Sequence, residues 1–203
     1  MLAWTGAAAA VVLLALILFW GDLTGKADPT PTPTPSSAAT STASAQPTPT
    51  PTPDERSIAV AEAAARYRSA IAAIGVEHRD PRRINTQALV SAGVTDPFLA
   101  NVISDLILDR DSGYYETGSL KILSIRETAV TLTGEQPQIT LGVCADNSSI
   151  RSIERKTGKI APRAPGNSTH PRFAVVMIKA AVSSVNGGKA TWFAKDVKVV
   201  GHC

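Results

Sequence analysis

The chain has 203 residues, a formal net charge of +3 at neutral pH and two cysteines. That length holds one or two domains, and two cysteines without CxxC or HxxxH spacing cannot supply the roughly four nitrogen or sulfur ligands of a structural zinc site. Composition is uneven along the chain and divides it into three stretches, 1–27, 28–53 and 54–203.

The first stretch cannot join a soluble core. Residues 2–20, LAWTGAAAAVVLLALILFW, are nineteen residues without a charge; as a helix they would extend about 28 Å, close to the thickness of a bilayer's hydrocarbon core. Trp4 and Trp20 bracket the run, where amphipathic rings favour the headgroup region. The nearest rival is a cleaved signal peptide, for which Gly25-Lys26-Ala27 supplies small residues at the positions that signal peptidase reads. The absence of a basic n-region and an apolar run longer than the usual ~7 to 15 residues favour an uncleaved anchor. No Lys or Arg precedes the span, so charge alone does not orient it.

Residues 28–53 carry eight of the fourteen prolines, at alternate positions in two blocks, 29–35 and 47–53. Proline fixes φ and removes a backbone donor, so neither helix nor sheet can form. Extended as polyproline II, the segment would reach roughly 80 Å. The expectation is a disordered spacer that lifts a domain off a membrane. Pro/Thr-rich stalks are typical of exported proteins, which favours an outside location for everything after Trp20.

From Asp54 a folded domain is expected. Thr52, Pro53 and Glu55 read as N-cap, first helical residue and capping-box partner. The helix that follows carries Val60, Ala63, Ala64, Tyr67, Ala70, Ile71 and Ile74 as one apolar stripe and is expected to stop at Gly75, with Glu62 and Arg66 paired on its wet face. A short second helix begins after Asn85 and stops at Gly93. A third starts from Thr95, with Asp96 and Pro97 in its first turn, and ends near DRDSG. Beyond Ser119 the period becomes alternating, giving strands at about 120–132, 138–145, 150–155, 172–185 and 190–200. Asn186-Gly187 reads as a two-residue type I′ hairpin turn between the last two. Helices followed by antiparallel strands specify an α+β domain, one curved sheet on a helical layer, with about 150 residues sufficient for a single core. Its charge is split: residues 54–150 carry 9 basic and 13 acidic side chains, residues 151–203 carry 10 and 2. The basic half is a possible face for a protein partner or an anionic surface; no specific nucleic acid is implied.

Three N-terminal helices, then VCADNSS, RKTGK, a strand, a turn, GGKATWFAKDV and a terminal cysteine resemble the anchored extracytoplasmic actinobacterial proteins of the nuclear transport factor 2-like superfamily. The resemblance covers residues 53–203 and rests on the order of elements. It implies a cone in which a strongly bent antiparallel sheet wraps helices and leaves a cavity at the wide end. Members include ketosteroid isomerase and scytalone dehydratase, which use Asp, His or Tyr in that cavity, and non-enzymatic components of conjugation and type IV secretion machinery. The enzymatic pattern does not carry over residue by residue.

The residues themselves offer little chemistry. His78, His170 and His202 read as loop residues, Asp146 as a turn-former after a strand, and Cys144 has no histidine close in sequence to lower its thiol pKa. The Gly-Lys pairs at 25, 158 and 188 lack the earlier glycine of a phosphate loop, having Trp20, Ile153 and Ser183 there instead. No catalytic residue, cofactor or metal is therefore expected. Two cysteines in an exported domain read as a disulfide between Cys144 and Cys203. The function expected is that of a single-pass, membrane-anchored extracytoplasmic interaction or assembly module; the alternatives are a cavity-based small-molecule-binding or lyase/isomerase-type domain, and a component of a DNA-transfer or secretion complex.

Overall fold

The computed structural model describes residues 53–163 and 167–203. The apolar span, the Pro/Thr segment up to Thr52 and the expected Thr52 cap lie outside those residues. Among the described residues no helix is long and apolar enough to cross a membrane. The element order is α1 (Pro53–Arg79), α2 (Thr86–Ala92), α3 (Phe98–Ser112), β1 (Tyr114–Thr117), β2 (Lys121–Thr131), β3 (Gln138–Asp146), β4 (Arg151–Glu154), β5 (Pro171–Ala180) and β6 (Thr191–His202). The domain is α+β, as expected: three helices and a curved antiparallel sheet.

α1 begins on Pro53, with Asp54 and Glu55 in its first turn and His78 and Arg79 in its last, charges that suit the helix dipole at each end. Its buried stripe is Ala59, Ala63, Tyr67 and Ala70. Small alanines at successive turns let the helix approach the sheet closely, and Tyr67, 1% exposed, fills the space beyond them. The helix does not stop at Gly75. A glycine in a helix interior costs about 1 kcal/mol relative to alanine, and contacts beyond it outweigh that: Glu77, only 7% exposed, accepts the Asn85 backbone N–H at 2.7 Å, and His78 lies 2.9 Å from Asp109 on the third helix.

α2 is bounded as its sequence indicates. The Asn85 side chain accepts from the Ala88 N–H at 3.0 Å, and Gly93 closes the helix in the left-handed region at φ 107°. α3 starts three residues later than expected, because residues 94 and 95 are drawn to the edge of the sheet. Val94 bridges Ala194, the Thr95 N–H donates to the Ala194 carbonyl at 3.0 Å, and the Ala194 N–H donates to the Gly93 carbonyl at 2.7 Å. Ala70, Leu89, Val94, Leu99, Val102 and Leu106 form the core between the three helices.

The main sheet has the order β2-β3-β5-β6, every pair antiparallel. β3 alternates strictly: Ile139, Leu141, Val143 and Ala145 are buried toward α1, while the residues between them face outward. Met177, Val175, Trp192 and Ala194 complete that inner face. Register shifts in β2 and β6 mark bulges, which bend and twist a strand.

Two features depart from the expected sheet. Tyr114–Thr117 forms a strand that sequence reading assigned to no element, paired with β4 as a separate two-stranded ribbon. The Asn186-Gly187 hairpin turn does not form as a two-residue loop. β5 ends at Ala180 and a ten-residue connection, 181–190, containing a 3-10 turn at Asn186–Gly188, leads to β6. The cause is burial: Val185 and Val182 pack with Ile178 and Phe193 in a third apolar cluster, holding the connection open.

Candidate functional site

The cysteine pair forms as expected. Cys144 and Cys203 are disulfide-bonded with their Cα atoms 5.8 Å apart. Cys144 lies on the outer side of β3, and Cys203 follows β6, its N–H donating to the His170 carbonyl at 3.0 Å. β5 separates these two strands, so the bond straddles the start of β5 and joins strands that are not neighbours. Asp146 is the turn-former expected: its Oδ1 accepts the Ser148 N–H at 2.7 Å. The bonds from the Ser148 side chain and backbone hold its carboxyl below the usual range.

The histidines divide. His170 sits in a bend before β5, with Nδ1 3.0 Å from Thr169 Oγ1. His202 is the last residue of β6 rather than a loop residue. His78 is also not in a loop: it occupies the last turn of α1, with Nδ1 2.9 Å from Asp109 Oδ2 on α3 and 3.9 Å from Glu116 Oε2 on β1. One ligand atom from each of these three side chains lies within 4.8 Å of the others. Burial is the largest influence on the Glu116 carboxyl and pushes its pKa up; repulsion from Asp109 and Asp105 adds to it, while His78 and Arg163 oppose it. Asp105, one turn before Asp109, is likewise raised, by burial above all; His78 opposes the rise and Asp109 adds to it. Sequence spacing could not have revealed this group, because its members are 31 and 7 positions apart on three different elements.

A second polar constellation lines a groove of about 450 Å³ between α1 and the β5–β6 end of the sheet. Glu62 and Arg66 do not pair across the wet face of α1. Both turn toward the sheet. Glu62 Oε2 accepts the Trp192 indole N–H at 3.3 Å and lies 3.8 Å from Lys179 Nζ. Arg66 donates from Nη2 to the Ser91 carbonyl at 2.5 Å and from Nε to the Trp192 carbonyl at 3.3 Å. Its guanidinium also stands 5.8 Å from the Phe193 ring, and Lys179 stands 5.7 Å from the Trp192 ring. Two backbone carbonyls, those of Ser91 on α2 and Trp192 on β6, offer the long cationic side chain of Arg66 more than a solvated carboxylate one turn away would. The groove brings Ala65, Ser69, Ala190 and Thr191 together as a small-residue lining beside these charges.

No protein-family model matches the chain, and no curated protein matches it. Among solved structures it is similar to the intermembrane space region of the chloroplast protein ARC6, with a TM-score of 0.46 and 7% sequence identity over 70% of this chain and 96% of that one.

Proposed function

We propose that the chain is a single-pass membrane protein whose apolar span at 2–20 remains as an anchor and whose segment 28–53 is a spacer. Its domain then acts outside the cytoplasm as an interaction and assembly module rather than as an enzyme. In this reading the domain is a cone of the nuclear transport factor 2-like kind. The observation that carries the reading is the filling of the sheet's concave face. Ala59, Ala63 and Tyr67 of α1 lie against Ile139, Leu141, Val175, Met177 and Trp192, in the region where enzymatic members of that superfamily would hold a substrate. A face filled by side chains in close contact is a structural core. The disulfide suits the same compartment, since such bonds persist in oxidising surroundings. The partner is a protein with an acidic surface that meets the basic half, where Lys156, Lys159, Arg172 and Lys198 are exposed. A component of a secretion or DNA-transfer complex would be one case of this role.

Protease added to intact cells tests the reading. It should cut within residues 28–53 and release a fragment that still holds the Cys144–Cys203 bond. Complete protection of the chain, with lysis required for cleavage, would put the domain in the cytoplasm and overturn the proposal.

The groove beside Trp192 favours a second reading, a small zwitterionic ligand held by Glu62, Arg66 and Lys179. Such binding would change the indole emission of the intact chain and lose that change in Trp192→Phe. An emission unaffected across a panel of amino acids and small zwitterions would remove it.

A further inference from the structure

The group formed by His78, Asp109 and Glu116 goes beyond the anchored module just described and does not depend on it. Each side chain is delivered by a different element: the last turn of α1, the C-terminal half of α3 and the short strand β1. The three are partly shielded, with side chains 17, 25 and 34% exposed. Water therefore screens their charges less than it would at an open surface. Asp105 lies one turn earlier on the same face of α3 and adds a third carboxylate to the electrostatics of the group. The arginines close by make their hydrogen bonds and ion pairs to other groups. Arg163, which acts on Glu116, spends its guanidinium on Asn147, at 3.0 Å to the side-chain oxygen and 2.9 Å to the carbonyl. Arg155 is directed to Asp80 and to the Tyr115 ring instead.

We propose that His78, Asp109 and Glu116 form a site for a single divalent first-row cation, with Zn²⁺ as its best-matched ion. One imidazole nitrogen and two carboxylate oxygens make a borderline donor set. It suits zinc-like ions better than Ca²⁺, which takes about 6–8 oxygen ligands, or the copper(I)-type ions that prefer thiolates. A tetrahedral ion with bonds near 2.1 Å separates its ligand atoms by about 3.4 Å. The observed separations from His78 Nδ1, 2.9 Å to Asp109 and 3.9 Å to Glu116, bracket that value. All three ligand atoms lie within 4.8 Å of one another, so side-chain shifts on the order of an ångström would seat the ion. His78 would coordinate through Nδ1 as the neutral ring, its Nε2 keeping the proton. Three protein ligands leave a fourth position for water or for a carboxylate from another molecule. The bound ion would fasten the far end of α1 to α3 and to β1, adding to the hydrogen-bond-distance contact between His78 and Asp109.

The test uses the full chain purified in detergent, treated with EDTA, exchanged into chelator-free buffer at neutral pH and titrated with zinc chloride by calorimetry. One equivalent should bind with a dissociation constant in the micromolar range. Saturating zinc at about a hundredfold excess over that constant should raise Tm by roughly 5 °C or more. His78→Ala and Glu116→Gln should each weaken binding at least tenfold, while the double variant His170→Ala/His202→Ala, which removes the other two histidines, should bind as the parent does. Glu116→Gln is nearly isosteric and keeps the experiment decisive if His78→Ala unfolds. Absence of saturable binding up to millimolar zinc would overturn the site. So would affinity unchanged within twofold in Glu116→Gln, or binding lost with His170 and His202.

Discussion

Replacing Cys144 and Cys203 together by serine removes the covalent link and leaves two small hydroxyls near the sheet surface. The bond closes a loop of sequence separation 59. On the chain-entropy estimate, cross-linking a loop of that size withholds about 4 kcal/mol of conformational freedom from the unfolded chain. Domains of ordinary stability have 5–15 kcal/mol in all, so the double variant should lose a large share of its margin, roughly a thousandfold in the unfolding equilibrium. Equilibrium denaturation by urea, on the oxidised parent and on the variant, measures this directly. The slope of free energy against urea should also steepen in the variant, because an uncrosslinked unfolded chain exposes more surface. Hydrogen exchange adds a local readout. The Cys203 N–H, now bonded to the His170 carbonyl, and the amides at the end of β6 should lose protection before those of β3. A loss below 1 kcal/mol, with an unchanged slope, would refute the reasoning. It would mean that the unfolded ensemble already keeps residues 144 and 203 together.

Three further outcomes follow from other contacts. Glu77→Ala removes the acceptor of the Asn85 N–H at a nearly buried position, and chemical denaturation should show a loss of about 1–3 kcal/mol, most of it recovered by Glu77→Gln, which keeps an oxygen there. Gly93→Ala forces a Cβ onto a residue at φ 107° and to within 2.7 Å of the Arg66 side chain, so Tm should fall by an amount equivalent to about 1–3 kcal/mol. Asp146 has a folded pKa held below its ordinary 3.8, so its contribution is present above that value and is lost as pH falls through the depressed one. The Tm difference between the parent and Asp146→Ala should be full near pH 7 and shrink as pH falls below 3.8; a difference that grew on acidification would contradict the sign.

Much of the architecture was legible because local chemistry and tertiary structure agree. Asn85 and Gly93 bound α2 through their own side chain and backbone freedom, and the strict alternation of β3 declares which of its faces is buried. The cysteine pair was readable from count and context alone. Where distant contacts decide, local signals misled. Gly75 looks like a helix stop because the anchoring of Glu77 to Asn85 is invisible in sequence. Asn186-Gly187 looks like a tight turn because the burial of Val182 and Val185 against Phe193 is a tertiary matter. β1 has only four residues, all half-buried, and shows no periodicity to detect. The grouping of His78 with Asp109 and Glu116 exists only after three elements meet, and the turning of Glu62 and Arg66 toward β6 needs that strand beside them.

The uninterrupted course of α1 has a mechanical consequence. At 27 residues it is about 40 Å long, and it is both the first described element and the filling of the sheet's inner face. Any tension arriving from the preceding chain enters at Pro53 and passes directly into the central packing through Ala59, Ala63 and Tyr67. Peeling the domain from that end would require shearing this helix out along its length. At the opposite terminus the last strand cannot unzip first, since Cys203 is bonded back to Cys144. A domain loaded from that end would thus resist pulling as a single body.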